Sequence, residues 1–168
     1  RQEGSVAEKT SFFNQPCKPY RNFQVVFAGL TVMFLCSTIG YTFLPETVLD
    51  SFSQTNVLLG GGELQLPDRV SHFWRLLGCG NVIALALCCA MLLSDLKRNY
   101  PVLYPLALMK GFVSVAWTLV WLADTSIPFY GVAAAMDGAT LVVILYFATT
   151  ARRAIDADVV LIPALSGN

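Results

Sequence analysis

Arg75, Lys110 and Asp137 stand alone inside long apolar runs of the chain. An ionisable group in a bilayer is costly unless it is paired or used, so these residues are the first candidates for chemistry. Lys110 and Asp137 both fall near the middle of their runs. Counting at about 1.5 Å per residue from the link between those runs puts Lys110 roughly 7 Å deeper than Asp137. Helical side chains lean toward their own N-terminus. That lean separates Lys110 from Asp137 and carries Asp137 toward the level of Arg75. An Arg75–Asp137 pair is therefore at least as well supported as Lys110–Asp137, since Lys110 is long enough to snorkel. Two uses follow: a proton or ion path through Asp137 helped by Lys110 and Asn81, or a structural ion pair that fixes helix packing. The second is favoured, because a transport path normally needs more than one isolated carboxylate. Asp95 and Asp124 fall at helix ends, where water solvates them.

His72 is the sole histidine. One imidazole nitrogen suffices to ligate a metal, which makes His72 the candidate ligand for a haem or a chlorophyll magnesium. An interfacial histidine bonded to water or lipid is the plainer account. A bis-histidine haem within this chain is excluded by the count. Four of the five cysteines, Cys36, Cys79, Cys88 and Cys89, lie in apolar runs, where thiols act as small packing residues; the fifth is Cys17. No metal site is expected, because a Cys/His zinc site needs more imidazole than this chain has. The sequence holds no phosphate-binding glycine loop, no nucleophile–base constellation and no CxxC motif. Gly60-Gly61-Gly62 is not followed by Gly-Lys-Ser/Thr. No catalytic residue is assigned, and the chain reads as a non-enzyme. No cofactor is required by the sequence.

Long apolar segments must position these residues. Of 168 residues, 55% are hydrophobic and 13% charged; a soluble domain carries about 25% charged residues. That deficit makes lipid the main solvent. The formal net charge is zero, so no overall basic field draws nucleic acid. About 20 apolar residues cross the hydrocarbon core, and four segments qualify: residues 23–43, 71–93, 102–123 and 127–149. Residues 1–22 form a polar N-terminal arm, which free in solution is mostly disordered. Residues 151–168 form a C-terminal tail, whose Val159–Ile162 run is too short to span. The chain starts at Arg1 rather than Met, as a trimmed or processed chain does, and its first residues lack the apolar core of a signal peptide. Residues 46–59 mix polar and apolar types as an interfacial helix does, and the glycine triplet ends it. Pro128 suits a first helical turn. Short links make consecutive helices antiparallel neighbours. The expected fold is an all-α, polytopic membrane protein: an antiparallel bundle of four transmembrane helices.

Lys18, Arg21, Lys97, Arg98, Arg152 and Arg153 fall on one side of that arrangement, against Arg69 on the other. By the positive-inside rule both termini are cytoplasmic. Gly78, Asn81 and Ala84 form a small-residue stripe on the second span. Gly131–Ala135 and Ala134–Gly138 give small-xxx-small spacing on the fourth. Such spacing lets helix backbones approach closely. Trp117 and Trp121 share a face with Lys110 and Ser114, as interfacial tryptophans or as a platform for a pigment or quinone ring.

Phe73-Trp74-Arg75-Leu76-Leu77-Gly78, with Lys110 in the third span and Asp137 in the fourth, resembles small four-helix bacterial membrane proteins of the DoxX-like kind. That resemblance covers about residues 23–150 and implies a four-helix bundle in a bacterial cytoplasmic membrane, with little specific chemistry. Three functions are carried forward. The leading one is a non-catalytic accessory or scaffold subunit of a larger membrane complex, an electron-transport complex being one natural home. Its partners would be membrane lipid and other membrane subunits, with the polar arm on a partner surface. The second is a small transporter or proton-conducting protein using Arg75, Lys110 and Asp137. The third is a membrane redox protein of DoxX-like type, borrowing a quinone or haem.

Overall fold

A computed structural model of the chain describes residues 17–64 and 75–157 in full and residues 68–74 as helix backbone. Among the described residues there is no strand. The α-helices are α1 (Lys18–Phe43), α2 (Pro45–Leu58), α3 (Asp68–Ser94), the single turn α4 (Leu96–Asn99), α5 (Leu103–Ala123) and α6 (Pro128–Asp156). A 3-10 turn, Tyr100–Val102, joins α4 to α5.

Local chemistry sets the helix ends. Pro19 lies in the first turn of α1, where its missing N–H is not needed. The helix therefore starts at Lys18, earlier than the first apolar residue suggests. Leu44 leaves helical geometry (φ −128°, ψ 46°) because a residue preceding proline is pushed out of the α region. Pro45 then opens α2. In the α3–α5 turn, Asp95 caps α4 by accepting from the Arg98 backbone N–H at 2.9 Å, and the Asn99 side-chain amide donates to the Met91 carbonyl at 2.7 Å. Helix α6 runs about two turns beyond the residue-149 end expected from hydropathy. Ala151 and Ile155 continue its buried face. Arg152 holds that extension, pairing with Asp156 at 3.0 Å and donating to the Lys97 carbonyl at 3.1 Å.

Four helices are long and apolar enough to cross a membrane, which is the build of an integral membrane protein. Their most apolar windows have mean hydropathies of 1.7 to 2.3, yet at most 22% of each window is buried within the chain. Leu108, Phe112 and Val142 are each more than 60% exposed. In water such a surface would aggregate; in lipid it is solvated. Hydroxyls within the spans fold back onto their own helix, as Thr31 does on the Phe27 carbonyl at 2.7 Å and Thr140 on the Met136 carbonyl at 2.7 Å. Such return bonds keep these hydroxyl donors from lying bare to hydrocarbon.

The helices do not surround a central axis evenly. Helix α1 packs against both α3 and α6, and α5 packs against α6. Helices α3 and α5 touch little despite their short link, so that turn does not make them the close neighbours expected. Buried residues gather toward one end. Phe23 and Phe27 from the start of α1 meet Cys89 and Leu92 from the end of α3, Leu103 and Leu106 from the start of α5, and Ile144 and Ala148 from the second half of α6. This is the end that carries α4. At the opposite end, which carries α2, the buried residues among those described are Asn56 and Ala134.

Candidate functional site: an ion pair at the floor of a cavity

The α5–α6 contact is close because its facing residues are small. A Cβ added to Gly131 would lie 3.0 Å from the Trp121 ring, and one on Gly138 would lie 3.1 Å from the Ser114 hydroxyl. That hydroxyl donates across the interface to the Ala134 carbonyl at 2.8 Å. Gly131, Ala134 and Gly138 thus form the working stripe. Ala135 is exposed, so the expected Gly131–Ala135 pair is not the contact.

One helical turn further along this interface, Lys110 Nζ meets Asp137 Oδ1 at 2.5 Å. The side chains keep 12% and 18% of their exposure. The lysine ammonium also lies 5.0 Å from the centre of the Phe34 ring on α1, a distance at which the ring face attracts a cation. The depth offset and the opposed lean of the side chains argued against this pairing. The long lysine stem spans the offset, and the glycine-lined interface keeps α5 and α6 close enough for it to reach. Among the described residues no ion pair joins Arg75 to Asp137; the half-buried Arg75 sits on α3, which packs on α1 rather than on α6.

Asp137 also faces a cavity of about 920 Å³ at the α2 end. Glu46 and Asp50 from α2, Glu63 from the loop after it, and Asp137 supply its charged groups; among the described residues no lysine or arginine lines it. Its aromatic residues form a chain of ring contacts. Tyr41 lies 6.2 Å from Phe52, Phe52 lies 4.9 Å from Phe129, and Tyr130 stacks on Trp117 at 5.2 Å with 19° between planes. The platform foreseen around Trp117 is thus occupied by the chain's own Tyr130, and Trp121 packs on Gly131.

Asn56 holds the roof of this cavity. It is fully buried. Its side-chain amide donates to the Gly62 carbonyl at 2.7 Å, and its Oδ1 accepts from the Phe129 backbone N–H at 3.0 Å. The second bond satisfies one of the free donors in the first turn of α6, a turn whose own N-cap residue, Ile127, offers no side-chain bond. Gly60 takes a positive φ of 88° and Gly61 passes so near Asn56 that a Cβ there would clash at 2.4 Å. The glycine triplet is therefore a turn wrapped around one asparagine. Nothing local in the sequence marks Asn56. Only the glycines that must clear it hint at its role.

The other residues singled out from the sequence lie elsewhere. Half-buried Asn81, on α3, bonds to neither Lys110 nor Asp137 among the described residues. Gly78 is exposed, with nothing within 4 Å of an added Cβ, so the glycine of the α3 stripe faces outward rather than into an internal contact, while Asn81 and Ala84 are half-buried. His72 falls where side chains lie outside the described residues. All five cysteines are free thiols. Among the described residues no three His, Cys, Asp or Glu side chains converge as a metal site.

Comparisons with protein-family models, with curated proteins and with solved structures return no match. The class of protein is accordingly defined by its own build: a four-span helical membrane protein with an ion pair beneath a carboxylate-lined cavity.

Proposed function

We propose that the chain is a small transporter or proton-conducting protein in which Asp137 is the conducting carboxylate and Lys110 its counter-charge. One observation carries this reading. Asp137, one member of the ion pair buried among the spans, is not sealed in a packed core but lines an open cavity at the α2 end. A pair that served packing alone would gain nothing from such an opening. The objection that a path needs more than one carboxylate is met by Glu46, Asp50 and Glu63 along the approach. In this reading the bundle is antiparallel in a bacterial cytoplasmic membrane. Its arginine- and lysine-rich end and both termini face the cytoplasm, and the cavity opens outward.

The test is proton flux in liposomes carrying the purified protein and a trapped pH dye, under an imposed potential. Wild-type protein is expected to conduct protons above the level of empty liposomes. Asp137→Asn should abolish the flux while remaining a folded, monodisperse species. Wild-type flux equal to that of empty liposomes would overturn the proposal.

A second reading keeps the accessory-subunit function. The observation in its favour is Gly78 on α3, which is exposed and where an added Cβ meets nothing. Small residues facing out of a span are what a partner helix packs against. Native mass spectrometry from the source membrane tests it: reproducible partner subunits support it, and a lone chain or homo-oligomer counts against it.

A further inference from the structure

We infer that the cavity binds a lipophilic organic monocation, for which the Lys110 ammonium is the tethered stand-in. The inference rests on the transporter reading of the same site and names its ligand class.

The charges come first. Among the described residues every charged residue lining the cavity is acidic: Glu46, Asp50, Glu63 and Asp137. A cation entering from the α2 end therefore meets carboxylates along its way and, among the described residues, no opposing ammonium or guanidinium until it reaches Lys110. The carboxylates are also spread out. Among the described residues no three of them converge as metal ligands, whereas a hard divalent ion needs about six oxygens drawn around it. A dispersed ring of charge suits a bulky cation whose own charge is spread.

The walls and the size agree. Tyr41, Phe52, Phe129, Tyr130 and Trp117 supply aromatic surface, which solvates an apolar body by contact and a cationic centre by its ring faces. The volume of about 920 Å³ accommodates a drug-sized molecule, for which pockets of roughly 300–1,000 Å³ are usual.

The Lys110 ammonium explains how a carboxylate is tolerated here. Asp137 unpaired among apolar spans would be costly. Lys110, which does not itself line the cavity, neutralises it and has the Phe34 ring 5.0 Å away. A ligand cation reaching Asp137 takes over that neutralising role, and Lys110 keeps the Phe34 ring face as a partner. Ligand and lysine thus compete for one carboxylate, and this competition separates the proposal from a purely structural pair. Removing the lysine should strengthen cation binding; removing the aspartate should weaken it.

The experiment uses the full chain in phosphatidylcholine nanodiscs, titrated calorimetrically with tetraphenylphosphonium. Tetraphenylborate, of similar shape and opposite charge, is the control, and empty nanodiscs give the partitioning baseline. Saturable 1:1 binding of the phosphonium alone is expected. Asp137→Asn should weaken it on the order of tenfold, and Lys110→Met should tighten it several-fold, the two moving in opposite directions as competition requires. Glu46→Gln with Asp50→Asn, both exposed positions, leaves the fold intact and should weaken binding a few-fold through lost attraction. Binding no greater than to empty nanodiscs, equal binding of the borate, or indifference to both Asp137→Asn and the Glu46/Asp50 pair would overturn the inference. Asp137-dependent proton flux without phosphonium binding would sink the ligand class and leave the transporter reading standing. Loss of both would sink both.

Discussion

At the α4 end of the bundle Phe23, Phe27, Leu92, Leu106 and Ile144 interlock with 0% exposure. At the α2 end residues of α1, α2, α5 and α6 line a cavity, and Asn56 and Ala134 are the buried residues among those described. The Lys110–Asp137 pair lies where the two regimes meet. The difference teaches what each half is for. Close packing confers stability and admits no solvent or ligand. The open half gives up that packing, is held by specific hydrogen bonds and ring contacts instead, and in exchange exposes a carboxylate deep in the spans.

The contrast can be broken most severely at the boundary. Lys110→Met leaves Asp137 without its counter-charge, and orphaning one member of a buried pair costs about 3–5 kcal/mol. Unfolding in detergent should show a loss of that size. Exchanging the charges, Lys110→Asp with Asp137→Lys, should recover much of it. No recovery would mean that the pair contributes little.

A second comparison sets the halves against each other directly. Ile144→Ala empties space in the packed half and should cost about 2–5 kcal/mol. Met136→Ala, at a 66% exposed position lining the cavity, should cost less than about 0.5 kcal/mol. Equal losses at the two sites would erase the distinction.

Asn56→Ala sharpens the account of the roof. It strips partners from the Phe129 N–H and the Gly62 carbonyl. Buried groups left unsatisfied cost about 1–3 kcal/mol. The loop around Gly60–Gly62 should become sensitive to protease while the α4 half stays intact.

The smallest effect concerns the α5–α6 link. The Ser126 hydroxyl and backbone N–H both donate to the Asp124 carboxylate, at 2.5 and 3.0 Å, and hold its pKa below the ordinary 3.8. A carboxyl group with a lowered folded-state pKa stabilises the fold fully above its unfolded value and loses that contribution as pH falls through the folded one. Asp124→Ala should therefore lower the melting temperature slightly at pH 7 and not at all well below pH 3.8. The group is fully exposed, so the difference is small.

The four spans were legible in the sequence because lipid imposes a simple length rule on apolar runs, and α2 was legible as a helix ended by glycines. The α6 extension was not, because Arg152 and Asp156 look like tail until the Lys97 carbonyl is known to lie beside them. Lys110 and Asp137 stood out as charges among apolar residues, but their pairing turned on the reach of one side chain, which depth counting undervalued. The cavity was invisible. Its roof depends on a bond between Asn56 and Phe129, 73 residues apart, and its aromatic walls come from α1, α2, α5 and α6 with no shared period. The glycine at 78 was read as an internal contact because spacing gives a stripe on a helix but not the direction in which it faces.

The claim that one half is open and the other closed is tested most directly by thiol labelling. In a variant whose five native cysteines are replaced, Ala133→Cys lines the cavity and Ala148→Cys lies in the packed half at 0% exposure. With both variants in sealed vesicles, a water-soluble, membrane-impermeant thiol reagent should modify Ala133→Cys faster than Ala148→Cys by on the order of tenfold or more, since thiol reactivity follows access. It should do so from one side of the membrane only. Equal rates at the two positions would contradict the account.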